Sequence, residues 1–297
     1  MGRKAMLGSI GGIALVLLAP AAAPPASEAT FAGKNGYIVF AGSAGKFRSG
    51  LVLVDSNGGH RKVLARSRGL DQLYGTPAFA PSGRRIAYEH SGGHPFGTHI
   101  EVIGVNGKGT RQLTSGPGHD PAFSPQGRIA FDSFRHGNSF IFVMRGNGSH
   151  VKRLGTGSSP AFSPNAGLIA FNTSRRRMDV MRADGSHRRR IGPGADPDFA
   201  PNGKSILFVG QDASGFDQLF VERIDGSHER QITSNSRRNL GFRNPGFSPD
   251  AKRIVFEASD VSGGSDDIYM VNADGTGQRQ ITTDGTSAAP DWGPAPR

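Results

Sequence analysis

Residues 245–282 read PGFSPDAKRIVFEASDVSGGSDDIYMVNADGTGQRQIT, and three parts of this segment recur in the same order along the chain. The first is Pro-x-aromatic, which begins at Pro77, Pro121, Pro160, Pro197, Pro245 and Pro290. The second is Ile-x-[Phe/Tyr], which begins at Ile38, Ile86, Ile129, Ile169, Ile206 and Ile254. The third is [Asn/Asp]-Gly, which begins at Asn57, Asn106, Asn147, Asp184, Asp225 and Asp274.

Successive [Asn/Asp]-Gly motifs are 49, 41, 37, 41 and 49 residues apart, and a Leu or Ile lies seven residues after each one. Periods of this length are typical of repeat folds. Each copy predicts four short strands. Pro and Gly turn the first strand into the second, and Ile-x-Phe alternates with period two. Asn-Gly or Asp-Gly then turns the third strand tightly into a fourth strand, which is expected to end at that Leu or Ile. Six such copies predict an all-β, six-bladed β-propeller of four-stranded antiparallel blades.

The two ends of the chain predict how the ring closes. The chain enters the repeat at a second strand, Gly36 to Phe40, and ends with a lone first strand at Pro290, Asp291 and Trp292. We expect this C-terminal strand to join the N-terminal blade. A linear solenoid is the alternative, and it would leave Trp292 without a partner and both sheet edges open.

The repeat Phe-Ser-Pro-x-Gly-x-x-Ile-Ala-Phe, followed by a Val-Asn-Ala-Asp-Gly type of turn and Gln-Ile-Thr, resembles the TolB-like β-propeller repeat over roughly residues 31–293. The resemblance implies a propeller fold. From the member that names the family, it also implies a periplasmic protein that binds a lipoprotein at one mouth of the propeller channel. We find no N-terminal α/β domain of the TolB type in this sequence. We therefore interpret residues 30–297 as a single stand-alone propeller domain.

The composition and the N-terminus constrain the location of the protein. Lys and Arg number 35 against 24 Asp and Glu, a net charge of +11, and there is no Cys. The lack of Cys excludes disulfide scaffolds, zinc fingers and thiol catalysis. Arg3 and Lys4 precede a short apolar stretch, and small residues lead to Ala29. This pattern predicts a signal peptide over residues 1–29 and a secreted or periplasmic protein, with a single-span anchor as the alternative.

The residues that precede the Pro of each first strand are expected to ring one mouth of the channel. They are Thr76, Asp120, Ser159, Asp196, Asn244 and Ala289. We interpret His119, Asp120, Asp196 and Asn244 as a candidate ligand or cation site. The alternative is purely structural, since Asp and Asn side chains also satisfy backbone N–H groups at strand starts. Four other histidines share one turn position and are expected to be exposed and too far apart to hold one metal ion: His60, His150, His187 and His228.

Basic clusters indicate a second kind of contact. The blade-to-blade crossovers and the loops between second and third strands share one face of the propeller, which we call the crossover face. The arginines expected on this face, and predicted to contact a partner, are Arg175, Arg176, Arg177, Arg237 and Arg238. Arg188–Arg190 is expected near the opposite face. Basic patches favour anionic partners.

Two classes of function follow. The first is an exported, monomeric, non-enzymatic scaffold without cofactor or metal. Its expected partner is an envelope protein, such as a lipoprotein, or an anionic cell-wall polymer rather than nucleic acid. The second is a channel-site enzyme of the lyase or lactonase type. The sequence has no G-x-S-x-G, P-loop or G-x-G-x-x-G motif. The scaffold is favoured because no motif spaces an acid–base pair.

Overall fold

The computed structural model describes residues 32–45, 48–67, 73–92, 97–173, 176–235, 240–260, 262 and 264–296. These residues form 24 strands in six four-stranded antiparallel sheets. Among them there is no helix that could cross a membrane. The predicted signal peptide and the predicted start of the domain at residue 30 lie outside the described residues and stay predictions.

The strands follow the chain blade by blade. Blade 1 contains β1 (Asn35–Ser43), β2 (Ser49–Val54) and β3 (Lys62–Arg66). Blade 2 contains β4 (Leu73–Phe79), β5 (Arg85–Ser91), β6 (Thr98–Gly104) and β7 (Arg111–Gln112). Blade 3 contains β8 (His119–Phe123), β9 (Arg128–Arg135), β10 (Asn138–Arg145) and β11 (Lys152–Thr156).

The second half continues the same arrangement. Blade 4 contains β12 (Ser158–Phe162), β13 (Leu168–Thr173), β14 (Arg177–Arg182) and β15 (Arg189–Pro193). Blade 5 contains β16 (Ala195–Phe199), β17 (Ser205–Gln211), β18 (Asp217–Arg223) and β19 (Arg230–Gln231). Blade 6 contains β20 (Leu240–Phe247), β21 (Arg253–Asp260), β22 (Ser265–Asn272) and β23 (Arg279–Gln280), and β24 (Ala288–Pro294) ends the chain.

The ring closes through the C-terminal strand, as the sequence predicts. Blade 1 has the strand order β24-β1-β2-β3, so β24 supplies its innermost strand. In the antiparallel register Trp292 lies opposite Ile38, and Asp291 lies opposite Val39. The first and last strands of the chain thus share one sheet, which confirms the six-bladed propeller.

The hydrophobic core is divided into six clusters, each between two neighbouring blades. The Ile-x-[Phe/Tyr] motif supplies one side of every cluster because period-two alternation places both side chains on one sheet face. Between blades 6 and 1, for example, Ile38, Phe40 and Trp292 pack against Val255 and Met270. Burial of such side chains stabilises the fold by about 1.5–3 kcal/mol each. Interblade packing therefore holds the ring together.

Three outer strands are shorter than the sequence predicts. The strand β7 ends at Gln112. The Leu113 N–H still donates to the Ile100 carbonyl at 2.8 Å, and at Thr114 a side-chain bond takes the place of backbone pairing. The Thr114 hydroxyl accepts a hydrogen bond from the Ile100 N–H at 3.0 Å. The same bond forms at 2.9 Å between Thr233 and Leu219 and between Thr282 and Ile268. The Gln-[Leu/Ile]-Thr triplet is thus a side-chain cap on the third strand.

Candidate functional site

The six inner strands enclose a central channel of about 150 Å³. Each strand contributes three successive residues, one of which is the Pro of the repeat. The first of the three is Thr76, Asp120, Ser159, Asp196, Asn244 or Ala289. Since each inner strand runs from the crossover face into the channel, these six residues surround its crossover-face end. We call this end the channel mouth.

All six of these residues adopt a left-handed backbone conformation, with φ between 25° at Thr76 and 52° at Asp196. The sequence places them before the strands, but the structure places them inside the strands, where the pairing register shifts. A bulge of this kind turns one side chain away from the sheet. Here the bulge is repeated at each described inner strand, and the six residues line the channel.

A second group of polar side chains at the mouth was missed by the sequence reasoning. These residues come directly after Ile-x-[Phe/Tyr] in the second strands, and they are Glu89, Asp132, Asn172 and Glu257. The position follows from period two, because the residue after the buried aromatic points to the other sheet face. In the remaining two blades the position holds Ala41 or Val209. The sequence therefore contains a signal for this second group, namely a polar residue directly after Ile-x-[Phe/Tyr] in four of the six repeats.

Hydrogen bonds among these residues and His119 join neighbouring blades. Glu89 of blade 2 contacts His119 of blade 3 at 3.1 Å, and Asp132 of blade 3 accepts from the Ser159 N–H of blade 4 at 3.2 Å. Glu257 of blade 6 accepts from the Ala289 N–H of blade 1 at 2.9 Å. The Ser159 hydroxyl of blade 4 also donates to Asp120 of blade 3 at 3.0 Å. Asn172 accepts from the Asp196 N–H at 2.9 Å, and Asp196 accepts from the Asn244 N–H at 3.3 Å. The predicted site residues thus belong to one polar ring.

The mouth is acidic although the chain carries a net charge of +11. Burial, together with the nearby carboxylates of Asp132 and Glu89, raises the pKa of Asp120 to about 7. Burial also raises the pKa of Asp132 and of Glu257. A hydrogen bond from the His119 ring to Glu89 raises the pKa of His119. Within the ring, Asp120 therefore gains or loses its proton near neutral pH.

Two further carboxylates line the channel beyond the mouth. Asp198 accepts a hydrogen bond from the Phe247 N–H at 3.0 Å, and Asp291 accepts one from the Phe79 N–H at 2.6 Å. Each bond again crosses from one blade to the next. Burial raises the pKa of Asp198 to about 7 and that of Asp291 to about 6.

The structure describes two of the five arginines predicted to contact a partner. Arg176 forms an ion pair with Asp217 of blade 5, with Nη1 2.9 Å from Oδ1. Arg177 begins β14 and is exposed. The other three lie outside the described residues: Arg175, Arg237 and Arg238.

The opposite face carries a basic groove of about 560 Å³ between blades 3 and 4. Its basic residues are Arg128, Arg145, His150, Lys152 and Arg182. The predicted basic cluster Arg188–Arg190 is not among its lining residues. Arg188 pairs instead with Asp179 at 2.6 Å, and Arg189 donates to the Ile224 carbonyl.

The four histidines at the shared turn position are exposed, as the sequence predicts. All four have φ between 50° and 58°, so the left-handed turn conformation accounts for their position.

Comparison with known proteins agrees with this architecture. The family model described as TolB beta propeller domain matches residues 33–208, which is more than half of the chain. The chain belongs to the TolB beta propeller domain family. No curated protein sequence gives a significant match.

Several solved structures resemble most of this chain in fold. TolB from Acinetobacter baumannii has a TM-score of 0.74 and 19% identity, over 87% of this chain and 67% of that one. A putative TolB from Agrobacterium tumefaciens has a TM-score of 0.66 and 17% identity, over 86% of this chain and 92% of that one. Hydrazine synthase from Kuenenia stuttgartiensis has a TM-score of 0.69 and 16% identity, over 91% of this chain and 49% of that one. At such identities the likeness extends to the fold alone.

Proposed function

We propose that this TolB-type propeller is an exported, non-enzymatic scaffold that binds a protein partner at the channel mouth. The observation that carries the proposal is the polar ring, in which carboxylates from several blades converge on one end of the channel. The loops around that end differ in length between blades, whereas the opposite face repeats the same tight turns. Variable loops on a rigid scaffold are where binding surfaces arise.

The charge distribution favours a protein over an anionic cell-wall polymer at this mouth. Carboxylates such as Glu89, Asp132 and Asp196 would repel a uniformly anionic chain at the centre. A protein segment carries both signs of charge. Its amine or guanidinium group would meet the acidic ring, and its acidic groups would meet the five arginines predicted to contact a partner.

The size of the channel favours a scaffold over an enzyme. Sites for small-molecule substrates are typically clefts of about 300–1,000 Å³ that bury most of the ligand. The channel here has about 150 Å³. That space fits one inserted side chain, which is the kind of anchor that protein interfaces use.

One observation favours a second candidate, an enzyme of the lyase or lactonase type. Asp120 has a pKa of about 7 and lies beside the His119–Glu89 pair, an arrangement suited to acid–base chemistry at neutral pH. Assaying purified protein and its Asp120→Asn variant on panels of lactones and uronides tests this candidate. Turnover that the substitution abolishes would establish it, and no turnover would exclude those substrate classes.

Affinity capture from an envelope extract tests the scaffold proposal, with the wild type and three variants as bait. The mouth variant carries Glu89→Gln, Asp120→Asn and Asp196→Asn. The second variant, which we call the rim variant, replaces the five arginines predicted to contact a partner by Ser: Arg175, Arg176, Arg177, Arg237 and Arg238. The control variant carries Arg145→Ser, Lys152→Ser and Arg182→Ser in the basic groove.

We expect the mouth and rim variants to lose the captured protein and the control variant to retain it. Exposed ion pairs contribute only about 0–1 kcal/mol each, so all five arginines are changed together, which predicts a loss of about tenfold or more. Melting temperatures of the variants show whether the fold is intact. Loss of the partner in the groove variant alone would place binding on the opposite face.

A further inference from the structure

A cluster of two histidines and one glutamate lies in blade 2, outside the polar ring. His90 is the last residue but one of β5 and His99 is the second residue of β6. The two residues are directly opposite each other in the antiparallel register. Glu101 follows His99 by two residues, so period two places both side chains on the same sheet face. The strand pairing itself therefore brings the three side chains together.

The distances within this cluster match those around a small metal ion. Nε2 of His99 is 3.0 Å from Oε1 of Glu101, and Nδ1 of His90 is 3.3 Å from the same oxygen. One potential ligand atom from each residue lies within 4.8 Å of the other two. A tetrahedral ion with ligands at about 2.0–2.2 Å places them about 3.3–3.6 Å apart. Both histidine distances to the Glu101 oxygen are close to this spacing.

Among the described residues, three of the four imidazole nitrogens of the cluster are buried and lack a hydrogen bond; the fourth, Nε2 of His99, contacts Glu101. His99 is 7% exposed. Within the part of the chain that the structure describes, neither nitrogen of His90 nor Nδ1 of His99 has a hydrogen bond. Buried polar atoms are nearly always paired, so each such atom requires an explanation. A cation held by Nδ1 of His90 and Nε2 of His99 would supply the partner that His90 Nδ1 lacks.

Neighbouring aromatic residues hold the cluster in place. The Tyr88 hydroxyl donates a hydrogen bond to Oε2 of Glu101, the carboxylate oxygen that faces away from the histidines. The Tyr74 ring stacks on the His90 ring, with centroids 4.8 Å apart. Contacts of this kind orient metal ligands in established sites. They also restrict the rotamers of the three side chains before any ion binds.

We propose that His90, His99 and Glu101 bind one zinc ion. Two imidazole nitrogens and one carboxylate oxygen suit Zn²⁺, whereas Ca²⁺ and Mg²⁺ prefer ligand sets made of oxygen alone. Three protein ligands leave the fourth tetrahedral position for water. The site lies at the crossover-face end of β5 and β6, and the ion would clamp these two strands together.

Calorimetric titration of metal-free protein with ZnCl₂ tests the proposal. We expect one equivalent to bind and to raise the melting temperature. His99→Ala and Glu101→Gln should each weaken binding by more than the roughly 10–100-fold that loss of an orienting residue causes. Tyr88→Phe should weaken zinc binding by a factor within that range of about 10–100. The matched control is His150→Ala, which removes an exposed turn histidine and should leave the affinity unchanged.

Cobalt provides an independent readout, since Co²⁺ in a tetrahedral site absorbs visible light far more strongly than octahedral Co²⁺. The visible absorption band of tetrahedral Co²⁺ should appear in the wild type and in His150→Ala. It should disappear in Glu101→Gln, because Gln has almost the same shape as Glu but lacks its negative charge. The proposal is wrong if the wild type binds no stoichiometric Zn²⁺. It is equally wrong if folded His99→Ala and Glu101→Gln bind as tightly as the wild type.

Discussion

His119 Nδ1 lies 3.1 Å from Glu89 Oε1, and this contact links blade 3 to blade 2 at the channel mouth. The bond raises the pKa of His119 above the ordinary 6.5. Because the folded state then holds the proton more tightly than the unfolded state, the contribution to stability is present below the unfolded pKa. It is lost as the pH rises through the folded pKa.

Glu89→Gln is expected to lower the pKa of His119, since the partner loses its negative charge. Nuclear magnetic resonance of the imidazole ring as a function of pH measures this, with the signal assigned by its loss in His119→Asn. An unchanged pKa of His119 in the Glu89→Gln variant would show that the contact with Glu89 does not set the proton affinity of His119.

Asp198→Asn is expected to stabilise the protein at pH 8 and to have little effect at pH 5. The pKa of Asp198 is about 7 in the folded state against 3.8 ordinarily. The folded state therefore holds more protons between these values, and stability falls as the pH rises through this window. Asn keeps an acceptor for the Phe247 N–H without the buried charge. The melting temperature should rise by roughly 2–8 °C at pH 8, and an equal rise at both pH values would contradict the explanation.

Trp292→Ala is expected to destabilise the ring strongly. Trp292 is 3% exposed, packs between blades 6 and 1 and lies beneath the Arg253 guanidinium at 4.7 Å. Truncation of a buried Trp costs about 3–5 kcal/mol, a large part of a typical stability of about 5–15 kcal/mol. Urea unfolding measures the loss. Deletion of residues 289–297 should lower the melting temperature further, and an unchanged midpoint would refute closure through β24.

Thr282→Val is expected to reduce stability by about 1–3 kcal/mol, because the Ile268 N–H loses its acceptor in a buried position. The hydroxyl also donates to Asp267 at 2.8 Å, and that bond is lost as well. Thr283→Val is the matched control, since Thr283 is exposed. Equal chemical denaturation curves for the two variants would show that the triplet does not cap the third strand.

The fold could be predicted from the sequence because repetition makes each local signal occur six times. Proline, glycine and the Ile-x-[Phe/Tyr] pattern set the turns and the buried face of each blade. The ends of the outer strands could not be predicted, because they depend on whether Thr114 or its equivalents reach the neighbouring strand.

The candidate site could be predicted only in part. Thr76, Asp120 and their equivalents were found because each precedes the Pro of an inner strand. Glu89 and Asp132 were not predicted, because the Ile-x-[Phe/Tyr] motif identifies the buried residues of the strand and not the polar residue that follows them. The pairing of His90 with His99 depends on hairpin register, which the spacing of the motifs does not specify.

Photo-crosslinking tests the central claim, partner binding at the crossover face, most directly. His136 and His187 form a matched pair, since both are exposed and have φ of 50° and 54°, but they lie on opposite faces. A photo-reactive amino acid is placed at one or the other position, and the protein is irradiated in its own envelope extract. The account predicts a crosslinked partner from position 136 and none from position 187. Crosslinking from position 187 alone would contradict it.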